Sequence, residues 1–107
     1  GLNPIFKKSA SSPAPFKGHA RPVSLTQNLP NPFDHLTHIG WKSEIEGEVL
    51  LQVYTINGQL VDILTDMFYP PGEFSVVFDA AGLSPGIYYY RLTLDDYVFT
   101  KKMVLTK

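Results

Sequence analysis

The chain has 107 residues, 44% hydrophobic and 13% aromatic, which suits one domain with a genuine core plus a tail rather than two domains. It has no cysteine, so disulfides and thiolate chemistry are excluded, and no apolar run is long enough for a membrane-spanning helix. The net charge of −1 is unevenly spread: residues 1–24 hold four bases and no acid, whereas residues 25–107 hold five bases and ten acids.

Residues 1–22 include KKSASSPAPFKGHARP, rich in Pro, Ser, Ala and Lys and without any apolar period. Such a stretch buries too little surface to offset its ordering entropy, so it is read as an extended linker. Its bases, Lys7, Lys8, Lys17 and Arg21, are too thinly spread for a nucleic-acid or membrane arm, and a solvated spacer is expected. No secretory leader opens the chain. A linker at the start implies that another part of the protein precedes it, and any export signal is expected there.

The folded part is read as residues 23–107. It opens on QNLPNPFD, residues 27–34. Pro30 and Pro32 lack ladder donors and push Leu29 and Asn31 out of the helical region. The expectation is an extended edge strand ending sharply in a turn, with Phe33 plugging the end of the fold. Beyond it the pattern has period two. EVLLQVYT sets Val49, Leu51 and Val53 against Leu50, Gln52 and Tyr54. Asn57-Gly58 then separates it from QLVDIL, a hairpin signal for a type I′ turn. EFSVVFD sets Phe74, Val76 and Phe78 against Ser75 and Val77, and GIYYYRLTL sets Tyr88, Tyr90, Leu92 and Leu94 against Ile87, Tyr89, Arg91 and Thr93. YVFTKKMVL carries Tyr97, Phe99, Met103 and Leu105 on one side, with Lys101 breaking the apolar row. A bulge near Lys101 or a snorkelling lysine would accommodate it.

Strands are expected over 24–29, 37–43, 48–55, 59–64, 73–79, 86–94 and 97–105, separated by the turn clusters EIEGE, YPPGE, AAGLSPG and DD. Seven strands at this spacing predict an all-β fold, a seven-stranded immunoglobulin-like antiparallel β-sandwich. Without disulfides the core rests on aromatics: Trp41, Phe74, Phe78, Tyr88, Tyr90 and Phe99.

Asp34, His35 and His38 are the one acid–histidine cluster, and a polar turn is the plainer reading than a metal site. Ser43, His38 and Asp79 make a triad only on paper, with no strained nucleophile turn behind it. Glu44, Glu46 and Glu48 alternate as the solvent face of a strand start. No glycine-rich phosphate loop occurs. A non-enzyme is expected, with no cofactor, metal, nucleic acid or small-molecule substrate. Tyr54, Tyr69, Tyr89 and Tyr97 would form a sugar-binding platform if they shared a face. Strand alternation instead makes core filling the preferred role for some of these rings.

In order, LTQNLPNPFD, LLQVYTINGQLVDIL, PPGEFSVVFDAAGLSPGIYYYRL and TKKMVLTK resemble the C-terminal sorting domain of the type IX (Por) secretion system. That family's pattern opens on Q-N-Y-P-N-P-F and continues through a V-Y-D-x-x-G hairpin and a G-[IV]-Y-[FY]-Y-R-L strand. It closes on K-K-[ML]-V-L-x-K. The likeness covers residues 25–107. Leu29 stands for the usual Tyr, Asp34-His35 for Asn-Pro, Thr55 for Asp and Ala81 for Ser. The resemblance implies an address domain that takes an upstream cargo across the outer membrane. Its partners would be the outer-membrane translocon, the shuttle proteins of the system and a sortase-like surface peptidase. The protein would be exported, in the periplasm in transit, then at the cell surface or outside the cell. The resemblance extends to removal of the domain by cleavage and anchoring of the cargo at the surface. Pro30, Asn31, Pro32, Phe33, Asn57, Gly58, Gly86 and Tyr88 carry the structural motif. Lys101, Lys102, Met103, Val104, Leu105 and Lys107 are the candidate recognition residues, read as a strand with flanking charge. The alternative is an immunoglobulin-like binding or structural module, carbohydrate-binding or like the flagellar hook cap.

Overall fold

The computed structural model describes residues 22–106; the linker expected over 1–22 falls almost wholly outside the described residues, as does Lys107. Seven strands follow in chain order: β1 (Val23–Leu25), β2 (Leu36–Ser43), β3 (Gly47–Thr55), β4 (Leu60–Tyr69), β5 (Gly72–Asp79), β6 (Gly86–Leu94) and β7 (Tyr97–Leu105). A three-stranded sheet, β1-β2-β5, faces a four-stranded sheet, β4-β3-β6-β7. Every pairing of neighbours is antiparallel. The connections β2 to β3, β4 to β5 and β5 to β6 cross between sheets, the Greek-key habit of immunoglobulin-like domains.

The period-two pattern explains the layers. Val49, Leu51 and Val53 of β3, Tyr90 and Leu92 of β6, and Ile39 and Trp41 of β2 all lose essentially their whole surface to the space between the sheets. Each such side chain contributes roughly 1.5–3 kcal/mol through burial. Of the six aromatics expected inside, Trp41, Phe78, Tyr88 and Tyr90 are buried, while Phe74 and Phe99 are half-buried at the margin of the core. Trp41 is clamped between Tyr69, edge-on at 5.1 Å, and Phe74 at 5.8 Å.

Four local expectations need correction. β1 is shorter than 24–29: it covers Val23–Leu25, and beyond it contact with β2 is broken, with Thr26 still donating to the Gly40 carbonyl, the Asn28 N–H turning to the Tyr90 hydroxyl, and Leu29 meeting His38 as an isolated bridge. β4 runs on to Tyr69 rather than stopping at 64; register shifts opposite Leu51/Gln52 and Val53/Tyr54 scramble its alternation and hide its second half. The Asn57-Gly58 turn is not type I′, since only Gly58 of the two has positive φ (89°). Gly58 donates its N–H to the Thr55 carbonyl at 2.9 Å, and Thr55 donates to the Gln59 carbonyl at 2.8 Å. The result is a three-residue loop with glycine at the bulge. Finally, β7 pairs with β6 in unbroken register from Tyr97 to Leu105, so no bulge accommodates Lys101. Lys101 lies half-buried on the inward side opposite Tyr90, the snorkelling arrangement.

Candidate functional site

The sequence motifs at the two ends of the folded part meet in space. The lead-in, residues 27–33, crosses the open side of the sandwich and bonds to both sheets. Leu29 exchanges both backbone hydrogen bonds with His38 of β2, each 2.9 Å. Four residues on, the Phe33 N–H donates to the Val104 carbonyl at 3.0 Å, and the Thr106 N–H donates to the Phe33 carbonyl at 2.7 Å. Phe33 and Leu105 thus form a parallel bridge on the outer edge of β7. The side chains finish the seam. The Val104 N–H donates to Asn31 Oδ1 at 3.0 Å, and Gln27 Nε2 donates to the Lys102 carbonyl at 2.8 Å. The peptide bonds before Pro30 and Pro32 are both cis. The seam's hydrogen bonds cover the edge, which corrects the expectation of a bare, pairing-resistant edge at the prolines. Two residues between them and after them, Asn31 and Phe33, supply the acceptor and donor that cover the C-terminal half of β7.

Asn28 is the hub. It is 1% exposed, so its polar atoms depend on protein partners. Its N–H donates to the Tyr90 hydroxyl at 2.8 Å, and that hydroxyl donates on to the Thr26 carbonyl at 2.7 Å. Asn28 Nδ2 donates to Thr37 Oγ1 at 3.0 Å and to the Pro30 carbonyl at 3.1 Å; Thr37 Oγ1 donates to the same carbonyl at 2.8 Å. Burial pushes the Tyr90 phenol up to about 12, against the opposing pull of the Asn28 N–H, which favours the phenolate. Phe33 is 2% exposed and meets Phe78 edge-on at 6.2 Å, so it plugs the end of the sandwich as its sequence position suggests.

The candidate recognition residues divide by face. Met103 and Leu105 are buried in the core, and Lys101 shares their inward side. Lys102 is exposed and Val104 half-exposed on the opposite, outer face. Lys101 and Lys102 therefore do not make one patch, and Lys107 lies outside the described residues. Gly86 begins β6 opposite Leu105 with φ of 150°, a backbone that side-chain-bearing residues rarely adopt. Tyr88 is buried, and its hydroxyl donates to the Ser84 carbonyl at 2.7 Å, a tyrosine corner tying the β5–β6 loop to β6.

The other candidate chemistry disperses. Among the described residues, no group of three or more His, Asp or Glu side chains converges for a metal. Ser43 is buried and its hydroxyl donates to the Ile45 carbonyl at 2.6 Å, whereas His38 is exposed on the opposite face of the same strand. The paper triad is not assembled. Of the four tyrosines considered as a platform, only Tyr54 and Tyr89 share a face, as cross-strand partners on β3 and β6. Tyr69 packs against Trp41, and Tyr97 points inward beside Leu94. Asn28, Gln27 and Thr37 escaped sequence reading. Their signal was available only indirectly: an inward-facing tyrosine at Tyr90 needs a partner for its hydroxyl.

A family model described as a secretion system C-terminal sorting domain matches residues 29–106. That span starts at the Leu29 bridge and ends at Thr106, the last residue bonded to the lead-in. No curated protein and no solved structure matches the chain.

Proposed function

Because the chain belongs to the type IX secretion-system C-terminal sorting-domain family, matched over residues 29–106, we propose that residues 23–107 are a folded address that directs an upstream cargo across the outer membrane. The family is one of sorting signals rather than enzymes, and membership implies a secreted protein that meets the type IX machinery. The finer steps belong to this proposal. The domain folds in the periplasm and is then read by the outer-membrane translocon and its shuttle proteins. Residues 1–22 serve as the spacer that a sortase-like surface peptidase reaches. The cargo ends at the cell surface or outside the cell.

The observation that carries the reading is the seam between the two ends of the family motif. A lead-in that bonds to Lys102, Val104 and Thr106 holds the last strand in one position. A receptor then meets a preformed shape, which lowers the ordering cost of binding. Within it, Met103 and Leu105 act from the core by fixing the strand, while Lys101, Lys102, Val104 and Lys107 are the groups a receptor touches.

The test is export of a periplasm-targeted fluorescent reporter, with and without this chain at its C-terminus, in a host that has the type IX machinery. The reading expects reporter at the surface or in the medium only when the chain is present. Equal retention of both reporters in the periplasm would contradict it.

A further inference from the structure

The outer face of the four-stranded sheet carries a second feature. Register places Leu60, Tyr54, Tyr89 and Lys102 in one row across β4, β3, β6 and β7, and Ile63, Gln52, Arg91 and Thr100 in the next. The Arg91 guanidinium lies 4.9 Å from the centroid of the Tyr54 ring. Beside them opens a cavity of about 330 Å³, lined by Tyr54, Ile56, Gly58, Tyr89, Arg91 and Thr100. The described residues hold ten acids and only four bases, and two of those bases, Arg91 and Lys102, stand on this face. Its acids, Glu48 and Asp66, lie further along the sheet towards the opposite end. Among the described residues, no carboxylate pairs with Arg91 or Lys102. Ile56, Leu60 and Ile63 are large, apolar and about half-exposed at the border.

We propose that this face docks an acidic, apolar-flanked segment of a protein partner, with one carboxylate entering the cavity beside Arg91. The charge argument is local: in an acidic domain, two cations without carboxylate partners stand together on this face. With its guanidinium over the Tyr54 ring, Arg91 has less freedom to lose when its N–H groups take a carboxylate. That stacking covers one face of Tyr54 and leaves a poorer platform for a sugar ring, which is why a peptide partner is favoured over a glycan. Tyrosine and arginine around a cavity, rimmed by aliphatic side chains, is also the composition of a protein-binding hot spot. The inference rests on the sorting reading for one point, that the partner belongs to the export machinery.

The experiment is a nuclear magnetic resonance titration of the isotopically labelled whole chain with a short peptide alternating glutamate and leucine. A lysine–leucine peptide and a glucuronate oligosaccharide serve as comparisons. The expected result is shift changes confined to Tyr54, Tyr89, Arg91, Thr100 and Lys102 with the glutamate peptide, weakening as salt is raised. In Arg91→Glu, binding should fall by about tenfold or more. Shifts scattered over the domain, binding unchanged in Arg91→Glu, or a response to the oligosaccharide alone would each overturn the proposal. Reporter export separates the two readings. Wild type exported and Arg91→Glu retained, with equal thermal stability, supports docking here. Equal export of both overturns this inference and leaves the sorting reading standing. Failure of the wild type itself removes the sorting reading, and the peptide titration alone then decides the site.

Discussion

Replacing Tyr90 by Phe removes a single oxygen from the centre of the seam. That oxygen accepts from the Asn28 N–H at 2.8 Å and donates to the Thr26 carbonyl at 2.7 Å. Asn28 is 1% exposed, so its N–H is left without partner or water. Thr26 is exposed, and its carbonyl is able to find solvent. One orphaned buried donor costs about 1–3 kcal/mol, which is the expected loss near neutral pH. The pH dependence checks the cause. Burial raises the Tyr90 phenol to about 12 from its ordinary 10, so the folded state holds that proton more tightly than the unfolded chain. The associated stability is fully present below pH 10 and is lost as pH rises through 12, an amount of about 2–3 kcal/mol for a shift of this size. Tyr90→Phe lacks that group, so the gap between wild type and variant should narrow steadily between those pH values. Urea unfolding of both proteins from neutral pH upward measures it. A gap under about 0.5 kcal/mol at neutral pH, or one that stays constant through the alkaline range, would refute the hub.

Three further substitutions probe separate parts of the account. Asn31→Ala removes the acceptor for the Val104 N–H at an exposed edge. It should cost only about 0.5–1.5 kcal/mol, but hydrogen exchange at the Val104 amide should speed up markedly while the amides of β3 stay protected. Met103→Ala empties a fully buried site opposite Tyr88 and should destabilise by about 2–5 kcal/mol in thermal or urea unfolding. Gly58→Ala meets open space but a φ of 89°, so calorimetry should show a loss of about 1 kcal/mol from backbone strain alone.

Legibility from sequence tracked the range of the forces involved. β3, β6 and β7 were readable to the residue or nearly so, because Val49-Leu51-Val53 and Tyr88-Tyr90-Leu92 alternate without interruption and each alternation is a local property. β4 was half hidden, because its two register shifts exist only against β3 and leave Leu64-Thr65-Asp66-Met67 without a clean period. The turn at Asn57-Gly58 was located correctly and typed wrongly. Glycine there was legible as a positive-φ residue, whereas the loop length depends on how Thr55 and Gln59 pair. The prolines of the lead-in announced an irregular segment. What they could not announce is that Gln27 reaches Lys102, or Asn31 reaches Val104, since those partners lie 75 and 73 residues away. The sugar platform failed for the same reason in reverse: four tyrosines are easily grouped in a sequence, and only Tyr54 and Tyr89 end as neighbours.

Whether the machinery reads the charged end of β7 or merely tolerates any folded domain is decided by setting export against stability. The reporter fused to the whole chain would be compared as wild type, as the pair Lys101→Ala with Lys102→Ala, and as Met103→Ala, with the exported fraction and the unfolding free energy measured for each. Recognition at the last strand predicts that the lysine pair loses export while keeping wild-type stability, falling off the line that links the other two. Export that simply follows stability through all three proteins would contradict it.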